Sequence, residues 1–248
     1  MQITGNTILI TGGGSGIGQG LAEAFHQRGN QVIISGRRQS ALDEVIAANP
    51  GMVGYTVDMA DKADVAEFAS RVVSAHPALN AVINNAGIMV DEDVVGGDYL
   101  DIAEATIATN LLGPIRLIAA LLPQLQRQPR AAVLTVSSGL AFVPRASTPT
   151  YSATKAAIHS YSQSLRYLLR DTAVEVIEIA PPYVQTFLQG AHQASDPNAM
   201  PLDAYLAETM ELLASAAGGE ILVERVKPLR FATETGNGQA VFDLINPQ

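Results

Sequence analysis

Short apolar runs alternate with longer amphipathic stretches along most of this chain. The runs are four to six residues long, most are rich in Val and Ile, and they lie at 7–11, 31–35, 53–57, 81–84, 131–136 and 174–179. Helical patterns fall between them, near 16–28, 39–48, 61–75, 99–126 and 151–170. Nearly continuous apolar strands are typical of a parallel sheet that is buried on both faces. Repeated strand–helix units require right-handed crossovers, so the pattern predicts a three-layer, doubly wound α/β fold.

The remainder of the chain continues this arrangement without a visible boundary. Residues 202–216 predict another helix, 220–223 predict a last strand, and 224–248 show no clear pattern. Because no linker, repeat or low-complexity tract interrupts the sequence, we expect one domain over 1–248. The stretch around Pro197 is polar and has few apolar anchors, so we expect a substrate lid at about 186–216.

Residue counts exclude several classes of function. The 248 residues include no Cys, which rules out disulfides, thiolate metal ligands and a thiol nucleophile. The formal net charge is −9 with 15 Lys and Arg in total, so no nucleic-acid partner is expected. None of the four His has a second His three or four residues away. We therefore expect them on helix surfaces or in loops, with no metal site.

The N-terminus and the hydropathy pattern predict neither export nor membrane insertion. The first residues lack the basic and apolar regions of a signal peptide, and no run reaches 18 apolar residues. We expect a cytoplasmic protein with no membrane partner.

The first predicted strand runs directly into a glycine-rich turn, Thr11-Gly12-Gly13-Gly14-Ser15-Gly16-Ile17-Gly18. Glycines let the backbone approach phosphate oxygens, and the following helix offers free N–H groups and the positive end of its dipole. The turn predicts a dinucleotide site, and the alternative is a tight connection without a ligand. Its candidate cofactor-binding residues are Gly12, Gly14, Ser15, Gly16, Ile17 and Gly18.

Arg37 and Arg38 follow the second predicted strand, where an NAD site usually has Asp or Glu to bind the ribose 2′-hydroxyl. A carboxylate would repel a 2′-phosphate, whereas guanidinium groups hold it through charge-assisted hydrogen bonds. The pair predicts NADP(H) as the cofactor. The alternative is that the two arginines only solvate the next helix.

Two further loops follow predicted strands and add candidate cofactor contacts. Asp58 follows the third strand, where its carboxylate either accepts a hydrogen bond from an adenine amino group or shapes its own loop. Asn85, Ala86 and Gly87 follow the fourth strand, at the edge where ligands bind in open α/β sheets. The acidic run at 91–93 is expected to be a solvated loop.

Tyr151 and Lys155 are four residues apart in a predicted helix, so their side chains share one face. Free Tyr titrates near pH 10, roughly, and a neighbouring cation lowers the pKa of a phenol, as an acid–base near neutrality requires. Ser137 and Ser138 close the fifth predicted strand, and Ser138 lies 13 residues before Tyr151. A hydroxyl there is placed to bind a substrate oxygen beside the phenol.

In order and spacing, these motifs resemble the short-chain dehydrogenase/reductase family, in its single-domain branch. The resemblance rests on TGGGSGIG (11–18), Asp58, NNAG (84–87), Asn110, the Ser137-Ser138 pair, YSATK (151–155) and PPYVQT (181–186). It implies a Rossmann-type fold with a parallel sheet of about seven strands. The implied catalytic set is Asn110, Ser138, Tyr151 and Lys155, with Ser138 preferred over Ser137 by its spacing. Implied nicotinamide contacts come from Tyr151, Lys155, Pro181, Val184 and Thr186.

One position departs from the family pattern, because Pro182 stands where Gly is usual and should stiffen that loop. With the motif at 220–231, this form resembles the bacterial DltE-type subgroup of oxidoreductases. Family members commonly pair through two helices, so we expect a homodimer or homotetramer built on the helices near 99–126 and 151–170.

The resemblance implies an NADP(H)-dependent carbonyl reductase or alcohol dehydrogenase that acts on a small molecule. Tyr151 would exchange a proton with the substrate oxygen, and Ser138 would position that oxygen. Lys155 would lower the pKa of Tyr151 and hold the nicotinamide ribose, while Asn110 would hold a water that links Lys155 to solvent. The alternatives are reduction of 3-oxoacyl groups on an acyl carrier, and NADPH sensing without turnover.

Overall fold

The computed structural model describes residues 1–215 and 219–247. Its seven strands are β1 (Thr7–Thr11), β2 (Gln31–Gly36), β3 (Val53–Thr56), β4 (Leu79–Asn84), β5 (Ala131–Val136), β6 (Val174–Ile179) and β7 (Gly219–Ile221). The helices between and after them are α1 (Gly16–His26), α2 (Gln39–Ala48), α3 (Lys62–Ala75), α4 (Leu100–Ile107), α5 (Gly113–Gln126), α6 (Pro149–Leu169), α7 (Ala191–Ala194), α8 (Leu202–Ser215), α9 (Lys227–Arg230) and α10 (Gly238–Ile245). The predicted doubly wound α/β fold is confirmed.

The strands form one parallel sheet in the order β3-β2-β1-β4-β5-β6-β7. Chain order reverses at β1, which pairs with β2 on one side and with β4 on the other. The chain connections that follow β1 and β4 therefore continue to opposite sides of the sheet and leave a crevice at its carboxyl edge.

Two apolar cores lie on the opposite faces of the sheet. Successive residues of β1 point to opposite faces, so Ile8 and Ile10 enter one core and Leu9 enters the other. Phe25 of α1 fills the first core, and Leu117 of α5 fills the second. Because each sheet face is covered, the strands are apolar nearly throughout, as the sequence indicated.

One long helical segment spans Leu100–Gln126, close to the predicted 99–126. Between α4 and α5 it contains a π-helical turn, Ala108–Leu112, which the sequence did not reveal. By length and mean hydropathy this segment is apolar enough to cross a membrane, although it contains no run of 18 apolar residues, and the expected absence of a membrane partner stays a prediction. The mean hydropathy over 18 residues stays high even though a few polar side chains interrupt the apolar run. In this structure 39% of that 18-residue window is buried inside the protein.

The C-terminal part differs most from its prediction. The last strand is Gly219–Ile221, shifted from the predicted 220–223, and the unassigned tail contains α9 and α10. The helix predicted over 202–216 is confirmed as α8, except that position 216 lies outside the described residues, as does the end of the predicted lid. Residue 248, the end of the predicted domain, also lies outside them.

Candidate functional site

The glycine turn between β1 and α1 is tight enough to require glycine at several positions. Gly12 and Gly16 have φ angles of 68° and 54°, a region that side chains with a Cβ rarely adopt. A Cβ on Gly18 would lie 2.2 Å from the carbonyl oxygen of Gly12. The turn therefore folds back onto the first turn of α1 and leaves the helix N-terminus open toward the crevice.

The loops after β1 and β4 are joined to each other by hydrogen bonds. Thr11 Oγ1 accepts from the backbone N–H groups of Asn85, at 3.1 Å, and Ala86, at 3.0 Å. Asn85 Nδ2 donates to the carbonyl oxygen of Thr11 at 3.0 Å. The side chain of Asn85, predicted to contact a cofactor, thus also fixes the distance between the two loops.

Two adjoining cavities of about 420 and 660 Å³ fill the crevice above these loops. Most of the predicted cofactor residues line them: Gly12, Gly14, Ser15, Gly16, Ile17, Arg37, Arg38, Asp58, Asn85, Ala86, Gly87, Tyr151, Lys155, Pro181, Val184 and Thr186. Gly18 does not line either cavity, because it is buried beneath the turn and acts through packing. The fold thus gathers motifs that are far apart in sequence along one cleft.

Arg37 and Arg38 lie at one end of this cleft with exposed side chains, and neither forms an ion pair within residues 1–215 and 219–247. Asp58 lies at the same end, where its Oδ1 accepts from the N–H of Ala60 at 2.9 Å. Asp61, and not Asp58, caps α3. Asp58 therefore shapes its loop and also lines the cavity, and its hydrogen bond with an adenine amino group stays a prediction.

Tyr151 and Lys155 lie side by side on α6 at the other end of the cleft, and both are buried. Lys155 Nζ is 5.5 Å from the centre of the Tyr151 ring and donates to the carbonyl oxygen of Val136 at 2.8 Å. Burial raises the pKa of Tyr151 to about 12, and the Ser138 hydroxyl offsets part of that rise. Burial lowers the pKa of Lys155 to about 8, and the carboxylate of Glu178 offsets part of that fall.

These values correct the expectation that Lys155 depresses the pKa of Tyr151. Desolvation of the phenolate is the largest effect on the phenol in the cofactor-free protein, and Lys155 is not among its causes. The buried phenol consequently stays protonated at neutral pH, which suits a proton donor.

The structure distinguishes the two serines that follow β5. Ser138 Oγ accepts from the backbone N–H of Leu140 at 3.1 Å and faces the cleft beside Tyr151. Ser137 Oγ lies 3.5 Å from the carbonyl oxygen of Ile179, on the neighbouring strand. The geometry supports Ser138 as the candidate substrate-binding hydroxyl.

Asn110 lies in the π-helical turn and is 2% exposed, so it does not line the cleft. Its Oδ1 accepts from the backbone N–H of Ile88 at 2.9 Å, and its Nδ2 donates to the carbonyl oxygen of Ile88 at 2.8 Å. A Cβ on Gly87 would lie 3.3 Å from Asn110 Oδ1 and 3.8 Å from Lys155 Nζ. Asn110 thus holds the loop after β4 close to Lys155, and its water-holding role stays a prediction.

Glu92 was predicted to lie in a solvated loop, and the structure shows otherwise. It is 9% exposed, and its carboxylate accepts from the N–H of Thr150 at 2.9 Å and from the Thr150 hydroxyl at 2.6 Å. These bonds give a partner to a backbone N–H that has none within the first turn of α6, one residue before Tyr151. An acidic run in a loop gives no sequence signal for a helix cap that begins 58 residues later.

His159 was expected on a helix surface, and it instead contacts a buried carboxylate. His159 Nδ1 lies 2.8 Å from Glu178 Oε2, and Glu178 is fully buried on β6. With Glu220 these groups are close enough to bind a metal ion, but Arg230 pairs with both oxygens of Glu220, at 2.7 and 3.2 Å. Because that guanidinium already neutralises Glu220, we assign no metal here.

The segment after β6 is held by a side chain that sequence reasoning missed. Gln193 of α7 is 5% exposed and donates from Nε2 to the carbonyl oxygen of Val184 at 2.8 Å and to Thr186 Oγ1 at 3.1 Å. Its Oε1 accepts from the N–H of Gln189 at 2.9 Å. Gln193 therefore connects the predicted lid directly to the predicted nicotinamide-binding residues.

A glycine turn at the point where strand order reverses, facing a buried Tyr–Lys pair, defines a dinucleotide-binding oxidoreductase. Comparison with known proteins agrees with this class. Residues 6–197 match the family model of the short chain dehydrogenases, so the chain belongs to that family of oxidoreductases.

Individual relatives extend the match over the whole chain. The chain is 39% identical to the uncharacterised oxidoreductase DltE of Bacillus subtilis (strain 168), over 100% of this chain and 99% of that protein. A short chain dehydrogenase from Burkholderia cenocepacia J2315, solved in complex with NADP, superposes with a TM-score of 0.83 at 26% identity, over 99% of each chain. A 3-ketoacyl-(acyl-carrier-protein) reductase from Brucella melitensis, complexed with NADH, shares the fold with a TM-score of 0.79 at 23% identity, over 89% of this chain and 97% of that one.

Proposed function

We propose that this chain is an NADP(H)-dependent oxidoreductase that transfers hydride between nicotinamide and a carbonyl or alcohol substrate, with Tyr151 as the general acid and base. One observation carries the proposal: the Tyr151 phenol is buried beside the Ser138 hydroxyl, at the point where the cofactor cleft meets a separate apolar cavity. A carbonyl oxygen at that junction lies within reach of both hydroxyl groups. This arrangement fits a reacting group that enters from the apolar side.

The site contains a hydroxyl group to bind the substrate oxygen, a phenol to donate a proton, and an amine to restore that proton. Ser138 binds the substrate oxygen, and Tyr151 donates its proton to that oxygen as charge develops there. The glycine turn and the arginine pair would hold NADPH, which would supply the hydride and its electron pair for the carbonyl carbon. A ketone then becomes a secondary alcohol, and the Tyr151 phenolate is reprotonated from solvent by way of Lys155. The apolar walls keep bulk water away from the reacting centre.

The choice of NADP(H) over NAD(H) rests on the phosphate end of the cleft. The turn fits a pyrophosphate, because Gly12, Gly14 and Gly16 line the cleft without Cβ atoms and let phosphate oxygens approach the backbone. Beside it, Arg37 and Arg38 line both cavities, and two guanidinium groups at this end of the cleft support binding of a 2′-phosphate. The relative from B. cenocepacia was solved with NADP and the one from B. melitensis with NADH, so the arginines support the choice better than the fold does.

Two further properties belong to the same proposal. Large apolar side chains stay exposed on the two helices expected to pair, among them Leu112 at 38% and Leu168 at 71% exposure. Such surfaces support a homodimer or homotetramer, which light scattering would measure. We also propose a cytoplasmic location, where NADPH is available, and fractionation of cells that express the tagged chain would test it.

The test of the proposed function is NADPH consumption with a panel of ketones and aldehydes, followed at the nicotinamide absorbance band. Tyr151→Phe removes only the acidic hydroxyl and should lower kcat about 10²- to 10⁴-fold. Tyr167→Phe is the matched control, because Tyr167 lies on the same helix and is 66% exposed. Near wild-type kcat in Tyr151→Phe would remove Tyr151 from the mechanism. NADPH binding without turnover of any carbonyl would favour the sensor alternative.

A further inference from the structure

A separate cavity of about 370 Å³ opens beyond Ser138 and Tyr151, away from the cofactor cleft. Its walls are largely apolar and include Met89, Leu140, Leu188, Leu229 and Ile245. Arg145 is the single charged residue among the described residues that line it. A cation in an apolar cavity next to the reacting hydroxyl groups needs a physical explanation, because isolated charges are costly to desolvate.

Arg145 forms no ion pair within the described residues, 1–215 and 219–247. Its backbone N–H donates to Ser152 Oγ at 3.2 Å, which ties it to α6 one residue after Tyr151. Its guanidinium Nη1 donates to the neutral amide oxygen of Gln189 at 3.4 Å. Within residues 1–215 and 219–247, no carboxylate oxygen lies within 4.0 Å of the half-buried guanidinium. Among the described residues, only one guanidinium hydrogen bond of Arg145 has a partner, so its other N–H groups there are available to a ligand.

The nearby acid is engaged elsewhere. Asp196 Oδ2 accepts from the Tyr183 hydroxyl at 3.1 Å, and its Oδ1 accepts from the N–H of Asn198 at 2.8 Å. Tyr183 lines the cavity, where burial and its hydrogen bond to Asp196 raise the pKa of its phenol, and the positive charge of Arg145 offsets part of that rise. The cation therefore acts across the cavity space, and Asp196 does not neutralise it by direct contact.

The charges that line the two cavities next to Tyr151 have the same sign, whereas Asp58 lines the more distant cavity of the cofactor cleft. The chain has a formal net charge of −9. In contrast, the cavity around Tyr151 in the cofactor cleft is lined by Arg37, Arg38 and Lys155, and the substrate cavity by Arg145, with no carboxylate among the described lining residues of either. A low-dielectric cleft with charges of one sign attracts the opposite charge. Arg37 and Arg38 are assigned to the cofactor phosphate, which leaves Arg145 for the substrate.

We propose that the substrates are small oxo acids and the corresponding hydroxy acids, whose carboxylate binds to Arg145 while the carbonyl or hydroxyl group lies between Ser138 and Tyr151. This inference rests on the proposed function and specifies its substrate class. The apolar walls hold the carbon chain between these two polar ends. Planar guanidinium groups bind carboxylates through paired, charge-assisted hydrogen bonds. Arg145 therefore selects a negatively charged substrate and also sets its orientation.

The test compares each acid with its neutral ester. The probes are 4-oxopentanoate with methyl 4-oxopentanoate, and 3-oxobutanoate with ethyl 3-oxobutanoate, each with NADPH. We expect wild-type kcat/KM to be at least about tenfold higher for the acids, the range of a charge-assisted hydrogen bond. Arg145→Met should lower kcat/KM about 10- to 100-fold for the acids and less than about threefold for the esters. Arg145→Lys should restore part of the loss.

Arg130→Met is the matched control, because Arg130 is exposed on a loop far from the cavity, and its substitution should change neither value. A second measurement avoids catalysis altogether: calorimetric binding of pentanoate, with pentanamide as the neutral control, to the protein with NADP⁺. Pentanoate should bind at least about tenfold more tightly than pentanamide, and Arg145→Met should remove that difference. Circular dichroism verifies that the variants are folded.

The outcomes separate this inference from the proposed function. Turnover of the esters without a preference for the acids, or equal losses in both on Arg145→Met, would overturn the inference and leave the proposed function standing. Arg145-dependent pentanoate binding without turnover of any ketone would support the anion site and count against the proposed chemistry. Pentanoate binding that does not depend on Arg145 would overturn the inference in either case.

Discussion

Lys155 should destabilise the folded protein at neutral pH, because it places a positive charge in a buried site. The residue is 5% exposed, and its ammonium group has one acceptor among the described residues, the carbonyl oxygen of Val136 at 2.8 Å. Burial lowers its pKa from 10.5 to about 8, although the carboxylate of Glu178 works against that shift. In the unfolded chain the same amine is solvated and keeps its ordinary pKa.

The sign and the size of the effect follow from this difference. Between about pH 8 and 10.5 the unfolded chain binds more protons at this site than the folded protein, so the free energy of unfolding rises with pH in that window. Below about pH 8 both states are charged, and the folded state carries the full penalty of about 3 kcal/mol. Lys155→Met removes the charge and leaves the Val136 carbonyl without its partner, at a cost of about 1 kcal/mol. We expect a net gain of about 2 kcal/mol at pH 7.

Urea unfolding of the cofactor-free protein, followed by circular dichroism at pH 7 and pH 10, measures this prediction. The stabilisation by Lys155→Met should shrink at the higher pH, where wild-type Lys155 is already neutral. Lys62→Met is the matched control: Lys62 is exposed on α3, so its replacement should change the free energy of unfolding by less than about 0.5 kcal/mol at either pH. A loss of stability in Lys155→Met at pH 7, with an unchanged denaturant slope, would refute the reasoning. It would show that the folded protein stabilises the charged Lys155 ammonium group as strongly as water does in the unfolded chain.

Three other predictions concern the cleft and its cover. Gly18→Ala should lower the free energy of unfolding by about 1–3 kcal/mol in the same denaturation assay, because the new Cβ would lie 2.2 Å from a backbone oxygen. Gly14→Ala is the control: its Cβ would have its nearest contact at 3.4 Å, so the free energy of unfolding should change by less than about 1 kcal/mol. Replacing Arg37 and Arg38 with Ala should raise the KM for NADPH far more than the KM for NADH; equal effects would show that the pair does not bind the 2′-phosphate. Hydrogen exchange at 188–200 should slow when NADPH and a substrate-sized ligand bind, and strong protection already present in the free protein would mean that this segment is a fixed wall and not a lid.

The strands were predictable because a strand that is buried on both faces needs a nearly continuous run of apolar residues. The predicted 131–136 and 174–179 match β5 and β6 at both ends, and the predicted 31–35 stops one residue short of β2. The short strand β7 was harder to place, because an edge strand of three residues has too little apolar sequence to fix its register. The π-helical turn at Ala108–Leu112 was not predictable, since one extra residue in a helical turn leaves apolar periodicity almost unchanged.

The residues of the candidate site show the same difference between local motifs, which the sequence reveals, and long-range contacts, which it does not. Residues in motifs with a fixed local geometry, such as the glycine turn and the pair on one face of α6, were located from sequence alone. Glu92, Gln193 and the pair of His159 with Glu178 were not, because their partners are set by how loops and strands meet in three dimensions. Lone acidic and amide side chains give no local pattern that distinguishes a buried hydrogen bond from a solvated surface position.

The protonation states of the site bear on the direction of the proposed reaction. At pH 7 the buried Tyr151, with its pKa raised to about 12, is ionised in only about one molecule in 10⁵. Alcohol oxidation needs the phenolate as a base, whereas carbonyl reduction needs the phenol as an acid, and the cofactor-free protein already holds the phenol. Lys155, with a pKa of about 8, keeps its charge at pH 7 and loses it first as the pH rises. Burial thus favours the protonated phenol that carbonyl reduction would require of Tyr151, and the same burial destabilises the charged form of Lys155.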